Sequence, residues 1–130
     1  MTTGDSGEKP LALIIEDDRQ QATIFDQALQ MADYETEIIR DGKAALERLP
    51  ATVPALVVLD LHLPYVSGDD ILRRIRADER LAKTKVILAT ADPLMAEPLQ
   101  EESNLALLKP ISFSQLRDLA TRLRPRDANG

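Results

Sequence analysis

Cysteine is absent from this chain, histidine occurs once (His62), and only 3% of the 130 residues are aromatic. Each shortage removes a class of reading. Without cysteine there is no disulfide framework and no thiolate metal site. With so few aromatics the core has to be aliphatic, and the 44% hydrophobic content supplies it. Positive charge is in deficit: 16 basic residues stand against 22 acidic ones, and the net charge of −6 repels phosphate backbones. Direct nucleic-acid binding is therefore not expected. Long apolar runs are also missing, which excludes a membrane span. The segment from Met1 to Pro10 is polar and lacks the apolar stretch of a signal peptide, so a cytoplasmic location is expected.

A chain of this length buries one core and is short for a second. One domain is expected over residues 10–124, with a flexible leader at 1–9 and a flexible tail at 125–130. Apolar runs alternate with segments of helical spacing, the mark of βαβ units around a parallel sheet. Predicted strands cover residues 11–16, 34–39, 55–60, 84–90 and 105–108. The first is a continuous apolar run, as a strand covered on both faces requires, whereas the second carries Glu35 and Glu37, which suits an edge. The first predicted helix covers 19–32 behind the N-cap Asp18, with Ala22, Phe25, Ala28, Leu29 and Ala32 on one stripe. The second opens at Asp41-Gly42 and stops at Pro50, and the third covers 69–78 with Ile71, Leu72 and Ile75 inward. A capping box from Ser112 to Gln115 opens the last, with Leu116, Leu119, Ala120 and Leu123 inward. Between residues 92 and 102, Pro93 and Pro98 interrupt helix-forming sequence, so the fourth helix is expected to be short or distorted.

In open parallel α/β sheets, ligands bind beyond the carboxyl ends of the strands, where the winding reverses. Four predicted strand ends are polar: Glu16-Asp17-Asp18 after the first, Asp60 at the third, Thr90 at the fourth and Lys109-Pro110 after the fifth. Glu16, Asp17 and Asp60 would converge, and such a cluster is unfavourable unless cations compensate it. Oxygen donors without cysteine or clustered histidine favour magnesium, calcium or manganese over zinc. A few protein oxygens completed by water is the usual magnesium arrangement, so Mg²⁺ is the expected ion. One Mg²⁺ with Lys109 balances the three carboxylates and leaves a site able to accept an anion, for which a phosphoryl group is the natural candidate. Each residue also has a plainer use: Asp60 as a turn cap, Asp18 as a helix N-cap, Thr90 as a β-branched strand residue, Lys109 as a solvated lysine.

Ile14-Ile15-Glu16-Asp17-Asp18, Asp60-Leu-His-Leu-Pro64 with Ser67-Gly68, Thr90-Ala91 and Lys109-Pro110, in that order, resemble the receiver domain of two-component response regulators. The resemblance covers nearly all of residues 10–123. It implies a three-layer flavodoxin-like (βα)5 domain with sheet order 2-1-3-4-5. It implies that Asp60 is the phosphoacceptor, attacking the phosphorus of a phosphohistidine, and that Lys109 pairs with a phosphoryl oxygen. Asp17 and Asp60 would hold Mg²⁺ directly, with Glu16 acting through a water and the backbone carbonyl of His62 completing the set. Thr90 would turn its hydroxyl toward the phosphoryl group and move the loop that follows. A cis Lys109-Pro110 bond is implied as well, and His62 and Asp92 occupy positions that tune the phosphoryl lifetime.

The implied partners are a sensor histidine kinase or a histidine phosphotransfer protein, together with an unknown downstream protein reached by protein contact. Whether the chain is a stand-alone regulator or a domain of a longer protein stays open. It departs from the family at Ala106, where an aromatic switch residue is usual, and in the shortened stretch between Thr90 and Lys109. Readout is then expected to use ordering of residues 91–104. Two rivals remain. A haloacid-dehalogenase-type phosphatase is opposed by His62, which stands where those enzymes carry a second aspartate; a receiver-like scaffold that is never phosphorylated is favoured only by the altered switch.

Overall fold

Strands and helices alternate along the chain; every strand but the glutamate-bearing second is a mainly apolar run, and the longer helices each carry one apolar stripe. The computed structural model describes residues 8–125, so most of the expected leader and tail lies outside the described residues. The strands are β1 (Leu11–Ile15), β2 (Glu35–Ile39), β3 (Leu56–Asp60), β4 (Lys85–Thr90) and β5 (Leu105–Leu108). The helices are α1 (Arg19–Met31), α2 (Gly42–Arg48), α3 (Gly68–Ala77), α4 (Pro93–Ala96) and α5 (Phe113–Leu123). All strand pairs are parallel, in the order β2-β1-β3-β4-β5, so the winding reverses between β1 and β3. Ile15, Leu59, Leu88 and Ala106 form one row across the sheet, which brings the carboxyl ends of four strands level. No helix among the described residues is long and apolar enough to cross a membrane.

Side chains alternate across the sheet and build two cores. Leu13, Ile15, Val57, Leu59, Val86 and Leu88 face Ala45, Ile71, Leu72, Ile75, Ala96 and Leu99 under α2, α3 and α4. On the other face, Ala12, Ile14, Val58, Ile87 and Ala89 meet Phe25, Ala28, Leu29, Leu116 and Ala120 from α1 and α5. The result is the expected three-layer α/β sandwich. Of the few aromatics, Tyr34 is buried with its hydroxyl donating to the Ala120 carbonyl at 2.8 Å, which ties the start of β2 to α5. Local caps set the helix starts: Asp18, Asp41, Ser67 and Ser112 each accept from a backbone amide three residues on. Small shifts from the expected boundaries follow. After α2 the chain makes one 3-10 turn at Leu49–Ala51, running through Pro50, where the sequence predicted a stop.

The fourth helix is short, as expected, with four residues. Pro93 sits in its first turn, where a missing amide costs nothing. Pro98 has no amide to offer the carbonyl of Leu94, so the chain tightens into a 3-10 turn at Glu97–Leu99. Ala96 and Leu99 anchor the segment in the core. One turn of helix does not reach over β5: Ala106, level with the buried Leu88, is exposed, and Leu108 is 52% exposed.

Arg76 of α3 holds the far end of this segment. Its guanidinium donates to the carbonyls of Glu102 at 2.7 Å and Thr84 at 2.9 Å, and to Asn104 Oδ1 at 3.3 Å. Asn104 Oδ1 in turn accepts from the Val86 amide at 2.8 Å. Burial holds the Arg76 pKa below its ordinary value. Replacing it by methionine keeps an unbranched stem but leaves these carbonyls without their donors, a cost of about 1–3 kcal/mol. Arg76→Met should therefore lower Tm by several degrees, with amide exchange accelerated first at residues 100–104. An unchanged melting temperature contradicts the assignment.

Candidate functional site

The site lies at the carboxyl edge of the sheet, beside the point where the winding reverses. Glu16 directly follows β1, and its amide donates to the Ile39 carbonyl at 3.0 Å, so the β1–β2 ladder fixes its backbone. Asp60 is the last residue of β3. Both side chains are buried, 1% and 2% exposed, whereas Asp17 between β1 and α1 is exposed. One carboxylate oxygen from each of Glu16, Asp17 and Asp60 lies within 4.8 Å of the others. Lys109 enters from the end of β5, with Nζ 3.2 Å from Glu16 Oε1 and 3.3 Å from Asp60 Oδ1. Its backbone amide donates to the Thr90 carbonyl at 2.8 Å, and the Lys109-Pro110 bond is cis, as the family resemblance implied.

Close packing of the loop after β3 supports Asp60. The His62 amide donates to Asp60 Oδ1 at 3.0 Å, while the His62 side chain is exposed. The loop then returns to its origin. A Cβ on Gly68 would fall 2.8 Å from both the Asp60 carbonyl oxygen and Leu61 Cα, so only glycine lets α3 begin this close to Asp60.

The electrostatics follow from this crowding. Burial pushes the Glu16 carboxyl up to about 7, and the negative charge of Asp60 adds to the rise; the Asp18 amide and Lys109 only partly offset both. For Lys109, burial works against the charged form, but Asp60 and Glu16 together outweigh it and hold the ammonium above its ordinary value. One lysine thus does not neutralise the cluster. The Asp18 amide donates to Glu16 Oε2 at 3.1 Å, so Asp18 serves this site through its backbone and caps α1 through its side chain.

Thr90 is fully buried, with its hydroxyl committed to its own loop. Its Oγ1 accepts from the Asp92 amide at 3.0 Å and donates to the Asp92 carbonyl at 3.3 Å. Asp92 Oδ1 accepts from the Leu94 amide at 2.9 Å and caps α4. The Thr90 hydroxyl and the start of α4 are therefore one hydrogen-bonded unit. The sequence reading also missed Arg40, whose Nη2 donates to the Asp17 carbonyl at 3.2 Å. Its place directly after β2, on the same sheet edge, was the available signal.

A hard divalent cation fits this donor set. Three carboxylates supply oxygen ligands only, the exposed Asp17 leaves a side open to water, and the charge that Lys109 leaves uncompensated calls for a further cation.

A family model described as the response regulator receiver domain matches residues 12–121. Among curated proteins, the chain is 32% identical over 118 residues to the probable methanogenesis regulatory protein FilR2 of Methanothrix harundinacea, covering 82% of this chain and 76% of FilR2. It is 30% identical over 119 residues to the sensor histidine kinase TmoS of Ectopseudomonas mendocina, covering 89% of this chain and 12% of that kinase. The chain thus spans a small part of some relatives and most of others. Among solved structures, the receiver domain of a sensor histidine kinase from Pseudomonas aeruginosa PAO1, with magnesium coordinated in its active-site cleft, superposes with a TM-score of 0.78 at 25% identity. That match covers 88% of this chain and 97% of the other. A parallel sheet wound in the order 2-1-3-4-5, with its acidic cluster at the switch point and a matching family model along most of its length, makes this chain a member of the response regulator receiver domain family of two-component signalling.

Proposed function

We propose that Asp60 accepts a phosphoryl group from a phosphohistidine on a sensor kinase or phosphotransfer protein. The observation that carries this reading is the buried Asp60 carboxylate, held on Oδ1 by the His62 amide and by Lys109. Oδ2, the oxygen not held by these two donors, attacks phosphorus; the P–N bond breaks and its electron pair returns to the donor imidazole. Lys109 pairs with a phosphoryl oxygen. Asp17 and Asp60 would hold Mg²⁺ directly, Glu16 through a water, and the His62 backbone carbonyl would complete the protein ligands. When bound, Mg²⁺ supplies positive charge that offsets charge on the transferring group.

The signal starts at Thr90. For its hydroxyl to donate to a phosphoryl oxygen it has to leave the Asp92 carbonyl, which loosens the turn that caps α4. The segment after Thr90 already carries α4, a 3-10 turn and the Arg76 bonds, so readout by loosening its Thr90 end replaces the expected ordering of residues 91–104. Output then passes to a downstream protein by contact. Where the chain is part of a longer protein, the remaining domains supply that output.

Incubation with phosphoramidate and Mg²⁺ should add one phosphoryl group to the intact mass of the wild type and none to Asp60→Asn. If the wild type takes no adduct, the chain is a receiver-like scaffold. Thr90→Val should still take the adduct, while amide exchange at residues 91–96 should no longer change on phosphorylation; an exchange change like that of the wild type would contradict the route through Thr90.

Glu16 makes the metal-free protein sensitive to pH. Its folded pKa is raised from 4.5 to about 7, so its stabilising contribution is fully present below pH 4.5 and is lost as pH rises through 7. In EDTA, the Tm advantage of the wild type over Glu16→Gln should shrink between about pH 4 and pH 8, the range spanning that shift. Thermal melts check it, and a constant difference contradicts the shift. Added Mg²⁺ should raise the wild-type Tm more at pH 8 than at pH 6, because binding requires the Glu16 carboxylate.

A further inference from the structure

Tyr65 is 100% exposed, while Tyr34 and Phe25 are buried and Phe113 is half-buried. Its backbone lies in the left-handed region at φ 71°, and across it the Val66 amide donates to the Pro64 carbonyl at 2.8 Å. A three-residue turn of that hand is rare and strained, and more so around a bulky side chain.

The neighbours explain the turn but not the tyrosine. Leu61 is buried, and Leu63 and Val66 pack against the core under α2 and α3. Val66 sits so tightly on α2 that a Cβ on Gly42 would come within 2.6 Å of its own Cβ. The loop is thus clamped on both sides of residue 65, and the backbone there has to take positive φ. Glycine would do so without strain. The tyrosine ring is fully exposed, so it contributes nothing to the fold while its Cβ strains the backbone.

The loop's path gives the ring an address. Three Cα–Cα steps of about 3.8 Å separate Tyr65 from Gly68, which puts its Cα within about 11 Å of a residue packed on the Asp60 backbone. A protein that presents a phosphohistidine to Asp60 has to approach across this rim. A neutral ring with an apolar body and a polar tip suits a protein surface, and tyrosine is enriched among residues that dominate interfaces.

We propose that Tyr65 is a specificity-determining contact for the protein phosphodonor, its ring packing on the donor surface around the phosphohistidine while the strained turn at 64–66 holds it outward. This rests on the reading of Asp60 as phosphoacceptor. The donor for the test is the histidine kinase that phosphorylates the wild type fastest among the complete set from the source organism. Tyr65→Gly should raise Tm by relieving the strain, while KM for that kinase rises about tenfold. Tyr65→Ala should keep the strain and lose the contact to the same degree, and Tyr65→Phe should retain most of the transfer. Phosphoramidate with Mg²⁺ should label all four proteins at equal rates. Undiminished transfer from the kinase to Tyr65→Gly overturns the proposal; so does an equal slowing with phosphoramidate, which would make Tyr65 a support of the chemistry rather than a donor contact. Labelling of the wild type by phosphoramidate but by neither a kinase nor a phosphotransfer protein of that organism also overturns it, whereas no labelling even by phosphoramidate removes the phosphoacceptor reading itself.

Discussion

The site depends on the placement of the Lys109 ammonium between two buried carboxylates. Glu16 and Asp60 are almost without solvent, and two like charges in that position are tolerated only with a cation between them or a proton on one of them. Lys109 lies 93 residues from Glu16 and 49 from Asp60 in the chain, so the contact exists only because β5 joins the sheet beside β4 with its end level with the others. The β4–β5 ladder continues into the bond from the Lys109 amide to the Thr90 carbonyl, and thereby aims the side chain. Burial first and the Asp60 charge second raise the Glu16 pKa to about 7, and Lys109 offsets only part of that rise. A hard divalent cation is suited to the negative charge that remains.

The same edge sets the terms on which the site communicates. Thr90 is joined to Asp92, Asp92 to the first amides of α4, and the far end of the segment to Arg76. With only one turn of helix between, loosening the Thr90 end acts on a short element rather than on a long rod. The prolines that shorten α4 also uncover Ala106 and Leu108 on β5, so the face beside α4 is apolar and open where a longer helix would cover it. A small side chain at residue 106 has no ring to swing inward. On the proposed reading, a signal leaving by this side travels in the backbone of the segment itself.

Much of this was legible in the sequence. A continuous apolar run marked β1 as central, the paired glutamates marked β2 as an edge, and Pro93 and Pro98 announced a broken fourth helix. Caps made the helix starts readable within about a residue, because a cap is a contact between positions three apart. Less was readable where a bond crosses the fold. Arg76 looked like an ordinary charged position on α3, yet its partners lie 8 and 26 residues away. Thr90 was expected to turn its hydroxyl toward the phosphoryl group once Asp60 is modified, but the bond it makes to Asp92 beforehand was not readable, because it depends on how the loop turns after β4. At Tyr65, Pro64 suggested a turn, but the positive φ arises from Val66 packing on Gly42 in another element.

By itself the sequence determined which chemical groups stand at the strand ends, because apolar runs and their polar stops are local features and their order along the chain is the order of the βαβ units. It marked β1 as covered on both faces and β2 as an edge for the same reason, whereas β5, also an apolar run, lies at the other edge of the sheet. Only the tertiary structure decided how those groups share charge: that Glu16 is pushed up to about 7, that Lys109 serves two carboxylates at once, and that the Thr90 hydroxyl is tied to the start of α4. Desolvation and Coulomb interaction depend on which distant residues become neighbours and how much water remains between them, and neither is a property of any short stretch of chain.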